Sequence, residues 1–205
     1  MKDPLSDREA LHAYYGAPAP LAVAVMKAEL DSYHRRFIAL SPFICIAAAG
    51  NDGQPSVSPR GDAPGFVKVL DAGTLVFPDR PGNNKVETFE HLVENPKIAL
   101  IFFVPGVTET LRVRGEARLS DEPAHRELGR IGAKVPAAAV IVRVTQAYFH
   151  CGKALIRSRL WDPSSRVGAG ALPPFAEILK AQAAVPETVE QLQCAINEVY
   201  TNELF

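Results

Sequence analysis

No stretch of this 205-residue sequence is apolar for long enough to cross a bilayer. The opening segment MKDPLSDREALHAYYG carries acidic residues and no apolar centre, so no secretory signal is expected and the cytoplasm is the default compartment. A formal net charge of −1 removes the broad positive field that nucleic-acid and membrane-surface proteins use. The three cysteines, Cys45, Cys151 and Cys194, are odd in number and far apart, which argues against a disulfide framework or a paired zinc signature. Buried free thiols are the expectation. The five histidines lack metal-binding spacing, no HExxH occurs, and His150-Cys151 alone is too little for a metal site. There is also no GxSxG, no GxGxxG after a strand and no locally readable pair of carboxylates. A chain that shows no acid, base or nucleophile of its own points, if it is an enzyme, to a cofactor that carries the reaction.

What is present is a globular composition, 47% hydrophobic, with length for a substantial core. Ser6-Asp7 caps a short helix ending near Gly16, and residues 21–40 have helical periodicity, as one helix or as a helix with a break. Residues 43–49 form a continuous apolar run closed by the turn Gly50-Asn51-Asp52-Gly53, so the first core strand belongs there. Ser56 and Ser58 then share one face of a strand, and Pro59 marks its end, with Arg60, Gly61 and Asp62 opening an irregular segment. Residues 65–70 and 74–77 make a hairpin around Asp71-Ala72-Gly73. A helix follows, with Val86, Phe89, Leu92 and Val93 on one face, Asn84 and Glu87 at capping-box spacing, and Asn95-Pro96 as its stop. Strands are expected at 97–104, 111–119 and 138–149, the middle one with Leu111, Val113, Ala117 and Leu119 facing the core. Beyond His150 a short helix and loop, a Gly/Ser/Pro-rich segment at 164–174 and two tail helices complete the chain. About six short strands joined by hairpins, with helices at the periphery, fit a mainly β, mostly antiparallel barrel.

Three stretches could carry chemistry. In residues 74–96, TLVFPDRPGNNKVETFEHLVENP, a strand leads into Arg80, Asn83, Asn84 and Lys85 at a helix start, where free N–H groups and the helix dipole favour an anion such as phosphate. The plain alternative is a cap with solvated cations. SVSPRGD, residues 56–62, adds Ser58 and the bidentate donor Arg60, unless Arg60 only pairs with Asp62. LRVRGEARL places Arg112 and Arg114 where they line a pocket or an interface, while Arg118 reads as solvated. Trp161, flanked by Arg157 and Arg159, is either a core residue or an interface aromatic.

Taken in order, the segments SPFICIAAAGNDGQPSVSPRGD, GFVKVLDAGTLVFPDRPGNNK, ENPKIALIFFVPG, LRVRGEARL and CGKALIRSRLWDP resemble the pyridoxamine 5′-phosphate oxidase-like superfamily of split-barrel flavoproteins, in its branch with SPRGD and DRPGNN. The resemblance implies a six-stranded antiparallel split β-barrel over 41–163, a helical extension at 1–40, and a linker with C-terminal helices at 164–205 packed on the same domain. It implies a homodimer with one FMN per subunit in the cleft between protomers. The phosphate would be held by Ser58, Arg60, Arg80, Asn83, Asn84 and Lys85. Val76 and Phe77 would run beside the isoalloxazine edge, with Asp79 at the ribityl side, and Arg157, Arg159 and Trp161 would come from the partner. Arg114 or Arg159 would be the cation near the flavin N1/C2 edge. The implied activity is that of an FMN-dependent oxidoreductase; a non-catalytic flavin carrier or sensor and a haem-binding split barrel are the alternatives. True pyridoxamine-phosphate oxidases end with a WGGYR-type stretch and a substrate-phosphate arginine set. This chain has neither, which argues against vitamin B6 oxidation and leaves FMN binding untouched.

Overall fold

A computed structural model of the chain describes Leu5 and residues 7–205. Helix α1 (Arg8–Tyr15) starts at Asp7, whose carboxylate accepts the Ala10 N–H; Ser6, expected to share this cap, lies outside the described residues. The helical stretch before the sheet is broken into α2 (Pro20–Ala24) and α3 (Ser32–Leu40). Then come β1 (Phe43–Ala49), β2 (Pro55–Gly61), β3 (Lys68–Val69), β4 (Thr74–Pro78), α4 (Glu87–Glu94), β5 (Lys97–Phe103) and β6 (Thr110–Ser120). The chain continues with α5 (Pro123–Glu127), β7 (Ala139–His150), α6 (Lys153–Ser158), α7 (Phe175–Ala183) and α8 (Val189–Asn202).

All strand pairings are antiparallel, in the order β2-β1-β5-β6-β7-β4-β3. Among the described residues the sheet has seven strands against about six expected, and the expected hairpin arm at 65–70 is reduced to the two-residue β3. Alternation does most of the folding work. Ile44, Ile46 and Ala48 of β1, Ile98, Leu100 and Phe102 of β5, Leu111, Val113 and Ala117 of β6 and Leu75 and Phe77 of β4 all enter one hydrophobic cluster. Strands from both halves of the sheet share that core, so the sheet curls around it. Each large side chain among them contributes about 1.5–3 kcal/mol by leaving water.

The two edges approach each other without pairing. Asp62, just after the edge strand β2, forms an ion pair with Arg80, just after β4, through Nη2 at 2.6 Å. The fold is therefore a mainly β split barrel with peripheral helices, and its split runs between β2 and the β4–β3 end of the sheet. At Gly115, where β6 is bulged against β7, a Cβ would stand 2.3 Å from the Arg143 carbonyl oxygen, so a tight strand approach there requires glycine.

Several local expectations are corrected. Pro59 does not end β2, which runs on to Gly61; β2 pairs only with β1, and an edge strand tolerates the missing N–H. Helix α4 has no capping box: its N-cap is Val86, in a left-handed conformation at φ 44°, with no side-chain cap. Its buried side chains are Thr88 and Leu92, while Val93 is exposed, because the helix starts at Glu87 and lies with Thr88 toward β2. The cysteines are free, but none is buried. Cys45 alternates with Ile44 and Ile46 onto the outer face of β1 and is half-buried, while Cys151 and Cys194 are exposed past the end of β7 and on α8. Among the described residues no helix is long and apolar enough to cross a membrane.

Candidate functional site

The site grows from the way β2 lies along α4. Ile44 and Ile46 oppose Arg60 and Ser58 across the β1–β2 ladder, so Ser56, Ser58 and Arg60 share the core-side face of β2 and Val57 and Pro59 the outer face. The Ser56 hydroxyl meets His91 Nδ1 at 3.1 Å, and the Ser58 hydroxyl meets the Thr88 hydroxyl at 2.9 Å. The next residue on that face is Arg60, beyond Ser58 in the direction in which α4 runs back toward its N-terminus. That end of α4 has no side-chain cap, and the Lys85 ammonium is largely exposed, 3.6 Å from Glu87. An uncapped helix start, the Lys85 ammonium and the Arg60 guanidinium are the kinds of group that a multiply charged anion needs.

Arg60 is half-buried and spends one nitrogen on its neighbour's carbonyl, Nη1 donating to the Pro59 oxygen at 2.9 Å. Burial pushes its guanidinium pKa down, and the charge of Asp79 pulls it part of the way back. The Asp79 carboxyl shows the mirror image: burial raises its pKa and Arg60 lowers it. Asp79 is itself fixed by its N–H, which donates to the Ala138 carbonyl at 3.0 Å.

Arg80 is placed differently. Its Nε donates to Asp62 Oδ2 at 2.7 Å and its Nη1 to the Gly129 carbonyl at 2.7 Å, and the Phe205 ring lies 5.6 Å from its Cζ. The guanidinium is thus bound to the barrel on several sides. Asp62, the alternative partner the sequence offered for Arg60, is the partner of Arg80. Upstream of α4, Asn83 Oδ1 accepts the Lys85 N–H in an Asx turn, and Asn84 sits at φ 57°. Asn84 and Val86 are two left-handed residues within three, and for β-branched Val86 that conformation costs of order 1 kcal/mol or more.

The other expected residues lie apart in a single chain. The Phe77 side chain is in the main core and Val76 in a second cluster with Ala139 and Ile141, so any group these two offer a ligand is main chain. Such an edge exists: Phe77 and Pro78 pair with β7 but lie beyond the reach of β3. Arg114 is exposed in the middle of the sheet, on the row Arg114, Ala99, Ala47, Val57, the face opposite Arg60. It borders a groove of about 450 Å³ with Lys97 and Glu116. Arg159 bonds to Asp162 and Ser164 within its own turn, Arg157 is exposed on α6, and the Trp161 indole donates to the Val107 carbonyl at 2.8 Å. Sequence reasoning passed over Thr88, Gly129 and Phe205 altogether and weighed His91 only as a metal ligand. Serine alternation on β2 was the only signal that α4 would need polar partners there.

With this geometry in place, comparison with known proteins adds the family. Residues 30–151 match the family model described as pyridoxamine 5′-phosphate oxidase. The chain belongs to that family. The family match begins within the turn before α3 and ends just past β7, so it takes in the barrel and the whole of the Arg60–α4 cradle. Among solved structures the chain is similar to HupZ of Group A Streptococcus, at 21% identity over 58% of this chain and 93% of that one, with a TM-score of 0.48. It is also similar to an FMN-binding protein from Syntrophomonas wolfei, at 10% identity over 56% of this chain and 82% of that one, TM-score 0.46. A third is a protein from Clostridium acetobutylicum related to general stress protein 26, at 15% identity over 57% of this chain and 84% of that one, TM-score 0.43. The comparison with curated proteins gives no match.

Proposed function

We propose that this member of the pyridoxamine 5′-phosphate oxidase family is a cytoplasmic FMN-dependent oxidoreductase, with the barrel of 41–163 as its flavin-binding domain. The observation that carries the reading is half-buried Arg60, with donors unused, on the face of β2 that packs along α4, together with Lys85 at the uncapped start of that helix. These groups fit a phosphate: a guanidinium fork, an ammonium and helix N–H donors give charge-assisted bonds from different directions. Ser58, Asn83 and Asn84 frame the cradle, and Arg80, tied to Asp62 and the Gly129 carbonyl, holds the two barrel edges in register beside it. When bound, FMN supplies reversible hydride or electron transfer at its N5. The chain supplies the anchor, the orientation and, through Asp79 and Arg60, a charged pair beside the anchor.

Two copies are part of the proposal. Arg60 and Arg114 lie on opposite faces of the sheet, so a ligand touching both kinds of face draws on two chains. The outer face between them carries Cys45, Ala47, Ala99 and Ile101, only half-buried, with Phe43 and Val57 exposed at 40% and 68%. A flat patch of small and apolar side chains of this kind is what a second copy would cover. Arg157, Arg159 and Trp161 then reach the flavin from the partner.

The visible spectrum of the purified protein, followed by release and mass measurement of any chromophore, tests this directly. Flavin absorption is expected; a colourless protein that also fails to take up added FMN defeats the proposal, and a Soret band would replace it with haem binding. Arg60→Ala with Lys85→Ala should weaken FMN at least about tenfold more than riboflavin, since only FMN carries the phosphate. Equal losses for the two ligands would move the phosphate elsewhere. A bound flavin that NADH, NADPH and small oxidants turn over no faster than free FMN would make the protein a carrier or sensor.

A further inference from the structure

A second site lies away from the split, where α2 and α3 meet the end of β7. A cavity of about 730 Å³ opens there, walled by Leu21, Val25, Phe37, Leu40 and Phe149 and edged by Tyr33. Its volume is in the range of sites that take small organic molecules. One polar side chain is sunk into the wall. His34 is 2% exposed and stacks on Phe149 with ring centroids 5.2 Å apart.

The capping box of α3 determines what His34 presents. Asp31 Oδ1 accepts the N–H groups of Tyr33 and His34, and the Asp31 N–H needs an acceptor, which is His34 Nδ1 at 3.2 Å. Nδ1 therefore carries a lone pair, and the neutral ring holds its proton on Nε2. Burial keeps the ring neutral by lowering its pKa, against the pull of Asp31. Among the described residues no group accepts the Nε2–H, and no buried side-chain nitrogen or oxygen is without a partner, so Nε2 is open to solvent and, with the ring bordering the cavity, its N–H is available to whatever enters.

The charge at the edge points to the ligand class. Lys27 and Arg36 both line the cavity, and no hydrogen bond or ion pair among the described residues uses either side chain. Asp31 lines it as well, but its carboxylate is occupied by the backbone N–H groups of His34 and Tyr33, which with the Lys27 charge hold it ionised. Two cations against one carboxylate leave one net positive charge beside an apolar cavity with a free donor. We propose that this cavity binds an apolar monocarboxylate, its carboxylate taken by His34 Nε2–H, Lys27 and Arg36 and its chain packed on Phe37, Leu40 and Phe149.

The full chain, titrated calorimetrically with octanoate and with octan-1-ol, tests the site at neutral pH. Octanoate is expected to bind one per chain and to shift the His34 Nε2 resonance in nitrogen-15 spectra. Lys27→Ala with Arg36→Ala should weaken octanoate at least about tenfold and octan-1-ol less than about twofold, because only the former has the charge. Leu40→Trp, which fills the cavity from a half-exposed position, should abolish both while leaving the far-UV circular dichroism unchanged. Absence of octanoate binding, an unmoved His34 resonance, equal losses for both ligands in the double variant, or wild-type binding by the tryptophan variant would each overturn the proposal.

Discussion

The ion pair across the barrel split can be tested by removing one member. The Asp62 side chain is 2% exposed and the Arg80 side chain 15%, so the contact is largely out of water. Breaking a buried pair from one side costs about 3–5 kcal/mol, since the surviving charge stays buried without its partner. Arg80 keeps the Gly129 carbonyl and some solvent, which brings the expected cost of Asp62→Ala to about 2–4 kcal/mol. For a chain of this size each kcal/mol lowers the melting midpoint by about 2–4 °C, so a drop of about 4–15 °C is expected in thermal unfolding. Removing the acid of the solvent-exposed Glu127–Arg130 pair should leave the midpoint in place. A double-mutant cycle with Arg80→Met separates the pair from the loss of either side chain, and a coupling of about 1–3 kcal/mol is expected. Asp62→Ala melting within about 2 °C of the parent, or a cycle that closes to zero, would show that the edges of the barrel are held by something else.

Three further outcomes follow from the same geometry. Burial raises the Asp79 pKa in the folded chain above its unfolded value, so its contribution to stability is greatest below the ordinary aspartate range and is lost as pH rises through the folded value. Asp79→Asn should therefore melt higher than the parent at neutral pH and show a flatter stability profile just above the ordinary aspartate range; a lower midpoint at neutral pH would contradict this. The same variant should bind FMN more tightly, because it removes a carboxylate that competes for Arg60, and weaker FMN binding in fluorescence titration would mean that Asp79 is a ligand contact. Gly115→Ala should lower stability by about 1–3 kcal/mol in urea unfolding, because its Cβ would press on the Arg143 main chain, which cannot swing aside as a side chain could; an unchanged midpoint would mean that the bulge relaxes freely.

The barrel was legible because its strands carry their own pattern. Residues 43–49, 97–103 and 111–119 alternate or run apolar over a full strand length, and β1, β5 and β6 formed where that pattern lies. The site was legible only as ingredients. Asn84 and Glu87 have capping-box spacing, yet the chain holds two left-handed residues before α4, and propensity carries no information about a Val at φ 44°. Which arginine meets Asp62 was equally hidden: Arg60 is two residues away in sequence, but Asp62 lies past the end of β2, and the fold brings Arg80 from across the split into contact with it. Cys45 shows the same limit, since free cysteine is usually buried and only the register of β1 decides which face it takes.

The two arginines of the split divide one task. A guanidinium has five donors in a rigid fork, and Arg80 commits Nε, Nη1 and Nη2 to Asp62 and Gly129, which leaves it strong as a clasp and poor as a ligand group. Arg60 commits a single nitrogen, to the carbonyl beside it, and is half-desolvated with Asp79 as its countercharge. A buried cation with unused donors gains most from an arriving anion, because the anion replaces hydration already lost. Arg60→Lys keeps the charge and loses the fork, so it should weaken FMN while barely changing the melting midpoint. Arg80→Lys should do the reverse, lowering the midpoint through the clasp and changing FMN affinity less. Parallel losses in both properties for both variants would mean that anchor and clasp are one structure.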